Sequence, residues 1–200
     1  MKQIEITVKV NNTLDEVDKI LLKQGFKIIR KSRVEDEYLT SKKQELTKEK
    51  IIEVLNSAVL IRYLKTEDAE FKKITYKIKE YKNNIVTTEE KINVNIDNIE
   101  NAIKLFYKLH FELLASVKYD VIVYSNGKYE FAFQNVENLG LLLEFEHSDN
   151  FENYTTNKII KEKEKMLKIV KNTGLSIEND YDVKKAYELI LKEINSKKEQ

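Results

Sequence analysis

The sequence predicts an α+β fold: a curled sheet of eight strands that closes, or nearly closes, into a barrel with helices packed outside. Three observations carry this reading. Eight strand-like segments alternate apolar with polar residues, and the polar positions are mostly charged residues of both signs spaced by two. Three amphipathic helical regions need apolar sheet surface to cover. If the helices take the apolar faces, the charged faces line the inside, a costly arrangement unless it holds water, metal or a charged ligand. For one strand alone, a solvated outer face explains the same alternation. Over eight strands the two readings diverge.

Taken in order, Ile4, Ile6, Val8 and Val10 alternate with Glu5, Thr7 and Lys9 as a two-faced strand. Asn11-Asn12-Thr13 caps a helix that carries Leu14, Val17, Ile20 and Leu21 on one side and ends at Gly25. Phe26 to Arg30 is extended, and Val34 to Tyr38 continues it or pairs with it. A helix over Thr47–Leu55 precedes strands at Ala58–Lys65, Phe71–Glu80 and Val86–Ile96, with a hairpin turn at Asn83-Asn84. A helix over Asn98–Leu109 leads to a strand at Ser116–Tyr124. Ser125-Asn126-Gly127 is a strong hairpin signal before Lys128–Gln134, and Leu141–His147 is the last strand. Helices over Asn157–Lys171 and Tyr181–Asn195 follow, with Gly174 as a stop between them.

One internal repeat stands out. Val8–Ile28 and Val94–Leu113 both read strand, Asn-rich cap, amphipathic helix, short turn, strand. Gln24-Gly25-Phe26 and Leu109-His110-Phe111 fall at matching places. Two strand–helix–strand halves would close as one domain over residues 1–200, with strands over about 3–147 and C-terminal helices over about 157–195.

Composition narrows the function classes. Lys+Arg 35 against Asp+Glu 34 leaves a net charge of +1, so no global field draws the chain to nucleic acid or to a membrane surface. The absence of cysteine removes disulfides, thiolate zinc sites and cysteine nucleophiles. His110 and His147 are too few for a histidine-built metal site, and no glycine-rich phosphate loop is present. With no signal peptide and no apolar run of membrane length, the expectation is a cytoplasmic protein without membrane or nucleic-acid partners.

Several segments together resemble the CYTH superfamily, the triphosphate tunnel metalloenzymes. Glu5-Ile6-Thr7-Val8-Lys9 resembles its E-x-E-x-K signature, and Asp36-Glu37-Tyr38 its D-x-Y. Leu60-Ile61-Arg62 is similar to the end of its L-R-I-R strand, and Ile74-Thr75-Tyr76-Lys77 to its L-T-x-K strand. Val136-Glu137-Asn138-Leu139-Gly140 with Leu143-Glu144-Phe145-Glu146 resembles V-x-x-L-G-x-F-x-E-x-E, and Ala186-Tyr187-Glu188-Leu189-Ile190 the closing S-Y-x-E-L-L helix. The matches run in order along nearly the whole chain.

The resemblance implies an antiparallel eight-stranded β-barrel, a tunnel that binds triphosphate. It implies Glu5, Glu144 and Glu146 as ligands or neighbours of Mg²⁺ or Mn²⁺, and Lys9, Arg62, Lys77 and Lys118 as phosphate contacts, with Lys9 also catalytic. The residue types suit the task, since a triphosphate needs Lys and Arg around it and hard oxygen ligands for its cation. The implied functions are metal-dependent hydrolysis of a triphosphate compound, as in thiamine triphosphatases, or class IV adenylate cyclase chemistry. A non-catalytic phosphate- or nucleotide-binding module is the third reading, and a homodimer is compatible with all three.

The departures bear on that choice. Thr7 stands in place of a family glutamate, Leu60 of an arginine and Gln134 of an aspartate. Alternation puts Asp120 where an arginine is expected, and Glu89, Lys91 and Asn93 nearly invert an R-x-E-x-E strand. Lost arginines accompany lost carboxylates, which points to a rewired or weakened site. His110 at a helix end reads as a cap or surface residue, His147 as exposed, and the lysine-rich Lys158–Lys171 helix as a solvated face.

Overall fold

Alternating side chains on antiparallel partners build this molecule. The computed structural model describes residues 3–82, 85–148 and 154–197. The strands are β1 (Gln3–Lys9), β2 (Lys27–Thr40), β3 (Val59–Thr66), β4 (Glu70–Lys82), β5 (Ile85–Asn95), β6 (Glu112–Ser125), β7 (Glu130–Val136) and β8 (Gly140–Ser148). The helices are α1 (Leu14–Leu22), α2 (Ile51–Asn56), α3 (Ile99–Lys108), α4 (Thr156–Asn172) and α5 (Lys185–Ser196). One eight-stranded antiparallel sheet runs in the order β1-β8-β7-β6-β2-β3-β4-β5. The turn expected at Asn83-Asn84 lies outside the described residues.

That order maps onto itself when β1 to β4 are exchanged with β5 to β8. The strands at the centre of the exchange, β2 and β6, are each 14 residues long and pair along their length. Each half opens strand–helix–strand, and the two helices end alike. Gly25 and His110 both take left-handed backbone, at φ 79° and 64°. After each, a phenylalanine N–H returns to the helix, Phe26 to the Leu21 carbonyl and Phe111 to the Phe106 carbonyl. His110 therefore stands where the first half has a glycine, a backbone position that L side chains enter at some cost.

The helices start where short polar side chains can hold free N–H groups. Thr13 and Glu16 form a reciprocal capping box on α1, Asn98 caps α3 and Thr155 caps α4. α1 and α4 bury Val17, Leu21, Ile159, Met166 and Val170 against the apolar face of β1, β7 and β8. α3 covers Leu39 and Ile61 in the other half. α5 behaves differently from the expectation that every helix lies outside. Ala186 packs with Val34, Val117, Val121 and Leu142 on the opposite sheet face, and Ile190 packs with Ile51 and Val54 of α2.

The described ladder forms the expected eight-stranded antiparallel sheet without closing it into a barrel. β1 and β5 approach within 8 Å between Cα atoms, yet the described ladder joins neither to the other. β8 takes one edge of β1, and residues 176–183 take the other. Asn11 N–H donates to the Ser176 carbonyl (2.8 Å) and Glu178 N–H to that of Lys9 (3.0 Å). Thr7 N–H donates to the Tyr181 carbonyl (3.0 Å) and Val183 N–H to that of Thr7 (3.1 Å). The helix expected from Tyr181 thus begins only at Lys185, because Tyr181 to Val183 satisfy an otherwise open sheet edge. Among the described residues no helix is long and apolar enough to cross a membrane.

Candidate functional site

All eight strands line one cavity of about 690 Å³. Strand alternation explains its chemistry. Glu144 and Glu146 are two apart on β8 and share a face, and the β1–β8 register sets Glu5 opposite Glu146 and Thr7 opposite Glu144. One carboxylate oxygen from each of Glu5, Glu144 and Glu146 lies within 4.8 Å of the other two. Burial, then the neighbouring Glu144 charge, pushes the Glu5 pKa from 4.5 up to about 7, with Lys77 and Lys91 pulling the other way. Burial also opposes ionisation of Glu144, but Lys185 and the Gln134 amide outweigh it and hold its pKa below the ordinary value. Three converging carboxylates without nitrogen or sulfur donors suit a hard divalent cation such as Mg²⁺ or Mn²⁺.

Cations surround this cluster. Lys77 on β4 lies directly opposite Lys91 on β5, and both line the cavity. Both lysines act on the carboxylates beside them, each favouring the ionised form of Glu5 and of Glu144. Arg62 on β3 also lines the cavity; its Nε and Nη2 donate to the two carboxylate oxygens of Asp36, each at 2.6 Å. Asp36 is fully buried, and Tyr119 Oη donates to it at 3.2 Å. The Arg62 pKa is raised despite burial, because the Asp36 carboxylate holds the proton on.

Two expected cations stand elsewhere. Lys9 shares the inward row of β1 but pairs with Glu188 of α5 at 3.2 Å. Lys118 lies on the opposite face of β6 from Tyr119, 3.7 Å from Glu35 and outside the cavity. The alternation that puts Tyr119 and Val121 inside turns Lys118 and Asp120 outward, and Asp120 meets Arg33 there.

The sequence reading missed Lys184 and Lys185, both cavity-lining. Lys185 Nζ donates to Gln134 Oε1 and approaches Glu144 Oε2 at 3.4 Å, while Gln134 Nε2 donates to that same oxygen at 2.9 Å. Helical periodicity holds no signal for this, since the pairing of residues 176–183 with β1 delivers both lysines. Away from the charges, the cavity becomes apolar along Ile52, Leu55, Leu60, Leu64 and Phe71.

Comparison with known proteins agrees with this architecture. The chain is 31% identical over 187 residues to the "Putative adenylate cyclase" of Methanocaldococcus jannaschii, covering 94% of this chain and 97% of that one. A Pyrococcus horikoshii protein of solved structure superposes with a TM-score of 0.69 at 22% identity, over 96% of this chain and 99% of that one. A "Putative adenylyl cyclase" of Hippeastrum, reported to have a dominant triphosphatase activity, superposes with a TM-score of 0.53 at 11% identity, over 89% and 90% of the two chains. No family model matches the chain.

Proposed function

The chain belongs to the CYTH superfamily, and from that premise we propose that its curled sheet acts as a tunnel in which a triphosphate compound is bound with Mg²⁺ or Mn²⁺ and hydrolysed. The relatives support a nucleoside-triphosphate-related activity. The observation that carries the reading is the convergence of Glu5, Glu144 and Glu146 with Arg62, Lys77 and Lys91 in one cavity.

Glu5, Glu144 and Glu146 would hold the cation, which when bound neutralises phosphate charge and polarises a phosphoryl oxygen. Lys77 and Lys91, opposite each other in the ladder and both lining the cavity, would contact the phosphates. The Asp36 pairing leaves Arg62 Nη1 to meet a phosphate oxygen and fixes the guanidinium plane that does so. Lys9, held by Glu188, secures α5 against β1. Water would attack the terminal phosphorus as its bond to the bridging oxygen breaks, giving inorganic phosphate and the shortened polyphosphate, whose oxygen keeps the bonding pair.

A second reading, adenylate cyclase, is favoured by the apolar end of the cavity. Ile52, Leu55, Leu60, Leu64 and Phe71 offer a nucleoside an apolar wall that inorganic triphosphate does not need. A binding module without turnover is favoured by the neutral Thr7, Leu60 and Gln134 that line the same cavity. Phosphorus NMR of ATP and of inorganic triphosphate, each with Mg²⁺ or Mn²⁺, separates the three. Released phosphate supports hydrolysis, pyrophosphate alone from ATP supports the cyclase, and intact substrates support the binding module.

A further inference from the structure

We propose that Arg30 binds the terminal phosphate of the substrate, so that the triphosphate lies with that end toward Arg30 and any organic group it carries toward Leu60. This rests on the reading that a triphosphate binds beside a cation on Glu5, Glu144 and Glu146. The chain's basic residues are nearly all lysine, and its arginines are Arg30, Arg33 and Arg62. An arginine differs from a lysine by its planar fork of donors, which can hold two oxygens at once. Arg62 uses that fork on the two oxygens of Asp36, and Arg33 meets Glu35, Asp120 and Glu137 on the outer face. Among the described residues, the exposed Arg30 guanidinium pairs with no carboxylate and hydrogen-bonds to no acceptor, although Arg30 lines the cavity. Its fork is open to a ligand.

Strand register sets that fork facing the carboxylates. Arg30 on β2 is opposite Val123 on β6, Val123 is opposite Ala132 on β7, and Ala132 is opposite Glu144 on β8. The four make one row across the sheet, and the short Val123 and Ala132 leave open the space between the two charges. All four border a second cavity of about 670 Å³. Arg30, Ala132, Glu144 and Glu146 border both cavities, so the two spaces meet at this row. A β-bulge between Ile28 and Arg30 interrupts the regular pairing just before the arginine. Neighbouring strands stand about 4.8 Å apart, so three ladder steps put Arg30 about 14 Å from Glu144 along the sheet, and closer across its curl. That gap, narrowed by the two side chains, has room for a cation and the phosphates on it.

The direction of the substrate follows from the same strand. From Arg30 the inward row of β2 continues through Ser32, Val34 and Asp36 to Tyr38. Asp36 is opposite Arg62 in the ladder, and Tyr38 is opposite Leu60. The buried Leu60, with Ile52 and Leu55 of α2, forms the part of the apolar wall at this far end. The row thus runs from an open guanidinium, past the paired Arg62, to an apolar surface.

The test compares ligands that differ by one phosphate. Binding of the non-hydrolysable analogue adenosine 5′-(β,γ-imido)triphosphate and of ADP, each with Mn²⁺, is measured by calorimetry for wild type, Arg30→Ala and Arg30→Lys. Melting temperatures of the ligand-free variants check that they fold alike. Arg30→Ala should weaken the triphosphate analogue about 10- to 100-fold, the worth of a hydrogen bond to a charged group, and ADP by less than about threefold. Arg30→Lys, which keeps the charge without the fork, should recover only part of that loss. Equal weakening of both ligands by Arg30→Ala, or weakening of neither, overturns the proposal. A wild type that binds neither ligand overturns the triphosphate reading itself, which separates the two failures.

Discussion

Arg62 and Asp36 form a two-pronged pair across β3 and β2, with both N–H···O distances at 2.6 Å and the carboxylate fully buried. The two residues are directly opposite in the ladder, so the strand register itself aims the guanidinium at the carboxylate. Breaking such a pair leaves a charge without a partner in a poorly solvated place. Asp36→Ala should destabilise the chain by about 3–5 kcal/mol, read as a lowered urea midpoint with an unchanged slope. A loss under 1 kcal/mol would mean that water reaches Arg62 freely.

Lys77 and Lys91 face each other in the ladder and both line the cavity. Lys91→Ala should weaken binding of inorganic triphosphate about 10- to 100-fold, the worth of one hydrogen bond to a charged group. Lys118→Ala should leave binding within about twofold, because Lys118 lies outside the cavity beside Glu35. Calorimetry of the two variants checks both.

Glu5 ties stability to pH. Its pKa is 4.5 ordinarily and about 7 in the folded chain. Between those values the folded chain keeps a proton that the unfolded chain releases. This residue's contribution to stability therefore falls as pH rises through that window, when no metal is present. Glu5→Gln should raise the melting temperature of metal-free protein at pH 8, by roughly 2–4 °C for each kcal/mol relieved, and change it little at pH 4.5. Saturating Mg²⁺ should reverse the order at pH 8, because the variant loses a ligand. Scanning calorimetry with and without chelator reads both effects.

Lys163 is buried on α4 with its ammonium 3.6 Å from Asp182. Asp182→Ala should cost about 3 kcal/mol by leaving that ammonium unpaired, and should loosen the segment against β1. Hydrogen exchange of the Thr7 and Val183 amides should then quicken, while that of β6 and β7 stays slow. Unchanged exchange at Thr7 would show that the backbone bonds alone hold the segment.

Much of this was legible in the sequence because strands repeat every two residues. The alternation through Glu5, Thr7 and Lys9 and through Glu144 and Glu146 was enough to place charged rows on one face, and the sheet puts them there. Alternation alone does not say which row of β6 faces inward: Lys118 and Asp120 form the charged row, but Tyr119 and Val121 are the residues that line the cavity. The repeat from Gln24-Gly25-Phe26 to Leu109-His110-Phe111 was visible, and the matching left-handed turns explain it. Invisible was the pairing of residues 176–183 with β1, because a sheet edge finds its partner by position in space rather than by local pattern. The edge of β1 that residues 176–183 cover, the late start of α5 and the positions of Lys184 and Lys185 all depend on that pairing.

The account's central claim is that one cavity holds a triphosphate through a cation on Glu5, Glu144 and Glu146. It is tested most directly by calorimetric titration of wild type and Glu144→Gln/Glu146→Gln with inorganic triphosphate, with Mn²⁺ and then with chelator. The account predicts that Mn²⁺ tightens binding to the wild type at least tenfold and leaves the double variant unchanged. Equal tightening in both proteins would contradict it and place the metal elsewhere.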